Sequence, residues 1–120
     1  MSRNILRKIL IVDDEPSVLN SLKRTLRKEH DVILCQDGFS AMLVLKEQEI
    51  AAIIADQRMP KMNGVTLLEK AMEIQPDATR ILITGYSDIQ TVIDAINEGN
   101  VYCYIHKPWE PEDVNLIVRQ

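Results

Sequence analysis

Aromatic residues make up only 4% of this 120-residue chain, cysteines number two, and no apolar run is long enough to cross a bilayer. Each scarcity excludes something. With so few rings, the 46% apolar share falls to Ile, Leu, Val and Ala, the material of sheets covered by helices. Cys35 and Cys103 show no metal-ligand spacing and read as small core residues, kept reduced in a cytosolic setting. The first apolar run, residues 9–12, is cut by Asp13, Asp14 and Glu15. It is too short for a signal peptide or a membrane span, so a cytoplasmic protein without membrane attachment is expected. Fourteen Lys and Arg against eighteen Asp and Glu give a formal charge of −4, which argues against direct nucleic-acid binding. Repeats, low-complexity tracts and linkers are also missing, and the length suits one domain over residues 1–120.

What is present is an alternation of short β-branched runs with longer stretches of helical period, the pattern of βα units around a parallel sheet. Strands are expected at 9–13, 32–35, 52–56, 80–84 and 102–106. Pro16 opens a helix carrying Leu19, Leu22 and Leu26 on one face. Ser87 with Gln90 reads as a capping box before the stripe Ile89, Val92, Ile93 and Ile96, and Gly99 ends it. Leu67, Leu68, Ala71 and Met72 support a helix after Gly64; the one after Gly38 is less cleanly patterned. A last helix begins at Pro111 and carries Val114, Ile117 and Val118. No stop signal follows it, so the chain is expected to be the front part of a longer protein.

Three carboxylates stand where the expected strands run out: Asp13 and Asp14 after the first, Asp56 at the end of the third. Open parallel sheets place their sites at these ends. Two carboxylates about 4 Å apart repel by roughly 4 kcal/mol at an effective dielectric near 20. A cluster of three therefore needs a cation, and oxygen-only ligands select Mg²⁺, Mn²⁺ or Ca²⁺. After Asp56 comes Gln57-Arg58-Met59-Pro60 and then Asn63-Gly64, a turn-rich loop whose backbone carbonyls are available to such an ion. Thr84 ends the fourth strand and Lys107 the fifth. Singly, Thr84 is an ordinary strand residue and Lys107 a solvated charge; their conjunction in this order carries the weight.

Through Asp13-Asp14, Asp56, Met59-Pro60, Gly64, Thr84-Gly85, Tyr104 and Lys107-Pro108, the chain resembles the receiver domains of two-component response regulators over essentially its whole length. The resemblance implies an α/β fold: a doubly wound five-stranded parallel sheet of order 2-1-3-4-5 in a flavodoxin-like three-layer sandwich. Cys35 and Cys103 then fall on opposite edges. It implies that Asp56 takes a phosphoryl group from a sensor histidine kinase or phosphotransfer protein. Asp14, Asp56 and the Arg58 backbone carbonyl would hold Mg²⁺, with Asp13 acting through water. Lys107 would contact the phosphoryl oxygens, Thr84 and Tyr104 would switch, and Arg58 and Tyr86 would gate hydrolysis. Pro60, Gly64 and Pro108 take structural roles, Lys107-Pro108 resembling the family's cis peptide. Such a domain promotes its own phosphorylation and dephosphorylation rather than turning over an external substrate. The implied partners are the kinase, a C-terminal output domain and, once phosphorylated, a second copy. Residues 97–102 look one longer than the common pattern, and with Trp109 and the loop after Asp56 they resemble a subgroup found in front of enhancer-binding transcription activators and cyclic-dinucleotide phosphodiesterases.

Three other readings compete. A flavin-binding domain of this topology needs a Ser, Thr or Gly-rich phosphate loop where this chain has Asp13-Asp14-Glu15. An aspartate-nucleophile phosphatase would carry its nucleophile and a second Asp two residues apart after the first strand, whereas here the first-strand acids are adjacent. A phosphorylation-independent interaction module would usually lack one of the pocket residues, and none is missing.

Overall fold

A computed structural model of the chain describes residues 6–85 and 88–119. Strands and helices alternate throughout: β1 (Arg7–Val12), α1 (Pro16–Leu26), β2 (His30–Cys35), α2 (Gly38–Glu47), β3 (Ala52–Asp56), α3 (Gly64–Ile74), β4 (Thr79–Thr84), α4 (Ile89–Asn97), β5 (Cys103–His106) and α5 (Pro111–Arg119). The five strands pair in parallel in the order β2-β1-β3-β4-β5. This is the doubly wound sheet expected from the sequence, with Cys35 and Cys103 on its two edge strands. β2 begins earlier than expected, at His30, because it pairs residue for residue with all of β1; β5 is a residue shorter.

Strand alternation sends successive side chains to opposite faces, and each face has its own core. Leu10, Val12, Ile53, Ala55 and Leu82 meet α2, α3 and α4 through Ala41, Leu45, Leu67, Leu68, Ala71, Val92 and Ala95. Ile9, Ile11, Ile54, Ile81, Ile83 and Ile105 meet α1 and α5 through Leu19, Leu22, Leu26, Val114 and Val118. The central strands are thus covered on both sides, which is why they read as unbroken apolar runs. The helix after Gly38 lacked a clear stripe because α2 is apolar almost all round, with Phe39 and Leu43 exposed. What starts it is Asp37, whose side chain accepts the Ser40 amide at 2.8 Å.

The N-cap position of α4 is Asp88, and Gln90 donates to Asp94; the capping box expected of Ser87 and Gln90 involves Ser87, which lies outside the described residues. One detail of α4 corrects the sequence reading. Ile93 faces outward, and Val92 and Ala95 take the buried positions. The C-terminus follows expectation: Gly99 at φ 81° lets its amide reach Ile96 O and the Asn100 amide reach Ala95 O, a Schellman closure. Arg80 secures the following loop by donating to the carbonyls of Asn100, Gly99, Ala78 and Pro76.

The approach of α3 to the sheet depends on Gly64. A Cβ there would lie 2.5 Å from the Asp56 carbonyl oxygen and 2.7 Å from Leu82 Cδ1, whereas one on Gly85 would meet nothing within 4 Å. Gly64→Ala is therefore expected to lower unfolding stability by about 1–3 kcal/mol in urea titrations. Gly85→Ala should stay within about 1 kcal/mol of wild type; equal losses in the two variants would contradict the close-packing account.

Candidate functional site

Pairing of β1 with β3 sets Val12 beside Ala55, so Asp13 and Asp56 emerge as neighbours where the two strands end. Both are buried, while Asp14 is exposed. One carboxylate oxygen from each of Asp13, Asp14 and Asp56 lies within 4.8 Å of the others. Lys107 enters from the end of β5. Its amide donates to the Thr84 carbonyl at 2.8 Å, and its Nζ stands 2.9 Å from Asp56 Oδ1 and 3.7 Å from Asp13 Oδ2. The Lys107–Pro108 peptide bond is cis.

The electrostatics follow from that crowding. Asp13 Oδ1 accepts the Glu15 amide at 2.9 Å, but buried Oδ2 has no hydrogen-bond partner among the described residues. Burial, reinforced by the Asp56 charge, pushes the Asp13 carboxyl up to about 6, against the opposing Glu15 hydrogen bond and Lys107. Asp56 is raised as well, again chiefly by burial, although Lys107 pulls the other way. Burial alone would lower the Lys107 ammonium; its hydrogen bond to Asp56 and the surrounding acids outweigh this and raise it. The metal-free pocket thus holds more negative charge than one ammonium balances. Its donors are all hard oxygens, the set that suits Mg²⁺ or Ca²⁺.

The loop after Asp56 is fixed through Gln57, whose importance the sequence did not disclose. Its amide donates to Ile83 O at 3.0 Å, its carbonyl accepts from Gly64 at 3.1 Å, and its Oε1 accepts the Val65 amide at 2.9 Å. Arg58 and exposed Pro60 ride on this loop. The Arg58 guanidinium forks onto Asp88, with Nε 3.0 Å from Oδ2 and Nη2 3.2 Å from Oδ1. Thr84 is buried on the α4 side of the sheet, and its hydroxyl also donates to Asp88 Oδ2, at 3.2 Å. Tyr104 sits opposite Leu82 on that same face and is 40% exposed. Tyr86 lies outside the described residues. The structure therefore brings Asp13, Asp14, Asp56 and Lys107 together and gathers Thr84 and Arg58 around Asp88. That residue was missed by sequence reasoning; its only signal there is a carboxylate four residues after Thr84.

The chain is similar to proteins of known family. The model of the response regulator receiver domain matches residues 9–119. Hydrogenase transcriptional regulatory protein HoxA is 38% identical in Bradyrhizobium diazoefficiens and 39% in Cupriavidus necator, in each case over 93% of this chain and 23% of the relative. The chain thus spans about a quarter of those relatives' length. The crystal structure of the signal receiver domain of an HD domain-containing protein from Pseudomonas fluorescens Pf-5 superposes with a TM-score of 0.90 at 32% identity, covering all of this chain and 89% of that one. Sheet order, clustered acids and family match agree, and the chain belongs to the response regulator receiver domain family.

Proposed function

We propose that the chain is the phosphoacceptor of a two-component system, with Asp56 receiving a phosphoryl group from the phosphohistidine of a sensor kinase or phosphotransfer protein. The observation that carries this reading is the convergence of three carboxylates on one point, with a buried Asp13 oxygen that accepts no hydrogen bond among the described residues and has only a 3.7 Å ion pair with Lys107 Nζ, itself 2.9 Å from Asp56. An oxygen-only set with an excess of negative charge fits Mg²⁺. Asp13, Asp14, Asp56 and the Arg58 carbonyl are the groups that would hold it, Asp13 through water. The bound ion would offset the acid cluster and draw charge from the transferring oxygens.

In the transfer, a bond forms between an Asp56 oxygen and phosphorus while the phosphorus–nitrogen bond breaks and the imidazole leaves. Lys107, already bonded to Asp56, is placed to accept charge from the incoming phosphoryl oxygens. The Thr84 hydroxyl would then turn toward those oxygens, and Tyr104, on the same face of the sheet, would move inward, shifting the population between two packings. The exposed Ile93 on α4, Tyr102 just before β5 and Tyr104 on β5 are the surface through which that shift would reach an output domain or a second phosphorylated copy. The names of the HoxA relatives support an output in transcription. Among the described residues no helix is long and apolar enough to cross a membrane, in keeping with a cytoplasmic partner for the kinase. Arg58 and Tyr86 are proposed to slow loss of the phosphoryl group, Arg58 as part of a bridge to Asp88 rather than as a free guanidinium.

Three outcomes are expected. Acetyl phosphate should add one phosphoryl group, by intact mass, in the presence of Mg²⁺ and none in EDTA; the same gain in Asp56→Asn would refute the assignment. Without added metal, burial pushes the folded Asp13 carboxyl up to about 6 from its ordinary 3.8, so the folded state holds more protons than the unfolded one between those values. Stability is therefore highest below about pH 4 as far as this group is concerned and falls by roughly 1–3 kcal/mol as the pH rises through 6. Mg²⁺ should accordingly raise the melting temperature more at about pH 7.5 than at about pH 5, since protons compete for the same oxygens; an equal shift at both would count against the site. Finally, once the donor is removed, Arg58→Ala and Tyr86→Ala should each lose the phosphoryl group several-fold faster than wild type, and unchanged rates in both would eliminate the gate.

A further inference from the structure

We propose that Asp88 is a positioning residue that holds the Thr84 hydroxyl in the unphosphorylated protein, as an anionic stand-in for the phosphoryl group. The inference rests on the phosphoacceptor reading above and deepens it. Asp88 occupies the N-cap position of α4, yet its side chain caps none of the helix's amides. Both its oxygens are engaged elsewhere: Oδ1 by Arg58 Nη2 at 3.2 Å, and Oδ2 by Arg58 Nε at 3.0 Å and Thr84 Oγ1 at 3.2 Å. The carboxylate is mostly shielded, with 14% of its side chain exposed, and Arg58 holds its pKa below the ordinary range. It therefore stays ionised whenever the pocket is.

Thr84 has one hydroxyl proton. Among the described residues the acceptors within reach are Asp88 Oδ2 and the Gly85 carbonyl at 3.3 Å, and a carboxylate is the stronger of the two. A phosphoryl group on Asp56 would compete for that same proton with a larger negative charge. Once Thr84 turns away, the Asp88 carboxylate loses its bond to the end of β4 and, among the described residues, keeps Arg58, from the loop after β3. The backbone link from the Asp88 amide to Gly85 O is long, at 3.4 Å, so the side chain is the firmer tie between the start of α4 and the sheet. Losing it frees that end of α4. Arg58 forks onto the carboxylate and fixes its orientation toward Thr84.

A ligand that needs Thr84 should therefore bind more tightly when Asp88 cannot hold it. The test uses beryllofluoride with Mg²⁺ as the phosphoryl mimic and Trp109 emission as the readout. Trp109 is half-buried against the α1–α5 core and lines a groove with Tyr104. Asp88→Ala is expected to bind the mimic about five- to tenfold more tightly than wild type, and Asp88→Asn, which keeps the size without the charge, to gain less in the same direction. In metal-free protein, hydrogen exchange of the α4 amides should quicken in Asp88→Ala. Both effects should vanish when Asp88→Ala is made in a Thr84→Ala background. Unchanged or weaker binding in Asp88→Ala, or a gain that persists without the Thr84 hydroxyl, overturns the stand-in role. If wild type fails to bind the mimic at all, the phosphoacceptor reading falls and the competition with it; if wild type binds and Asp88→Ala shows no gain, the stand-in role alone falls.

Discussion

Two carboxylates that share a buried strand end repel each other, and the rest of this structure is arranged around that repulsion. Asp13 and Asp56 are adjacent because β1 and β3 are adjacent, and both are buried. Lys107 relieves part of the strain from β5, with two strands' width of sheet carrying it to Asp56. What remains is an Asp13 oxygen without a hydrogen bond among the described residues and a raised carboxyl pKa. A pocket left in that condition is disposed to take up a cation and then an anionic group, since each arrival offsets the charge left by the one before.

The scaffold around the pocket is stiff where the chemistry requires fixed atoms. β3 is buried along its whole length, and Gln57 ties the following loop to β4 and α3. Gly64 brings α3 against the Asp56 carbonyl because no side chain intervenes. The α4 side is built differently. Thr84, Arg58 and Asp88 are joined by side-chain bonds rather than by the sheet, and the neighbouring Ile93 and Tyr104 are exposed. Bonds of this kind can exchange partners without disturbing the core, which suits the part of the molecule that would respond to phosphorylation.

Much of this was legible in the chain itself. Strand and helix order, the core faces of α1, α3 and α5 and the Gly99 stop all follow from local pattern, because periodicity and turn chemistry act over a few residues. The reading stopped short where a side chain chose between partners distant in sequence. Arg58 finds Asp88 thirty residues away. In α4, Val92 and Ala95 win the buried positions over Ile93 because the helix axis is set by its packing on the sheet, which a stripe of four apolar residues does not specify. Asp88 went unnoticed because a lone acid before a helix reads as a cap, whereas this one faces away from its own helix.

The sequence by itself determined which groups reach the ends of which strands: Asp13 and Asp14 at the first, Asp56 at the third, Thr84 at the fourth and Lys107 at the fifth. Strand length and alternation are short-range properties, so these assignments need no knowledge of the packed molecule. Tertiary structure alone decided how those groups pair. The order β2-β1-β3-β4-β5 makes neighbours of acids 43 residues apart, and burial between the sheet and its helices turns an ordinary carboxyl into one that titrates near 6. The Asp88 carboxylate lies within reach of both Thr84 and Arg58 only once β3 and β4 lie side by side. Charge and hydrogen bonding depend on distance through space, and distance through space is what the fold supplies.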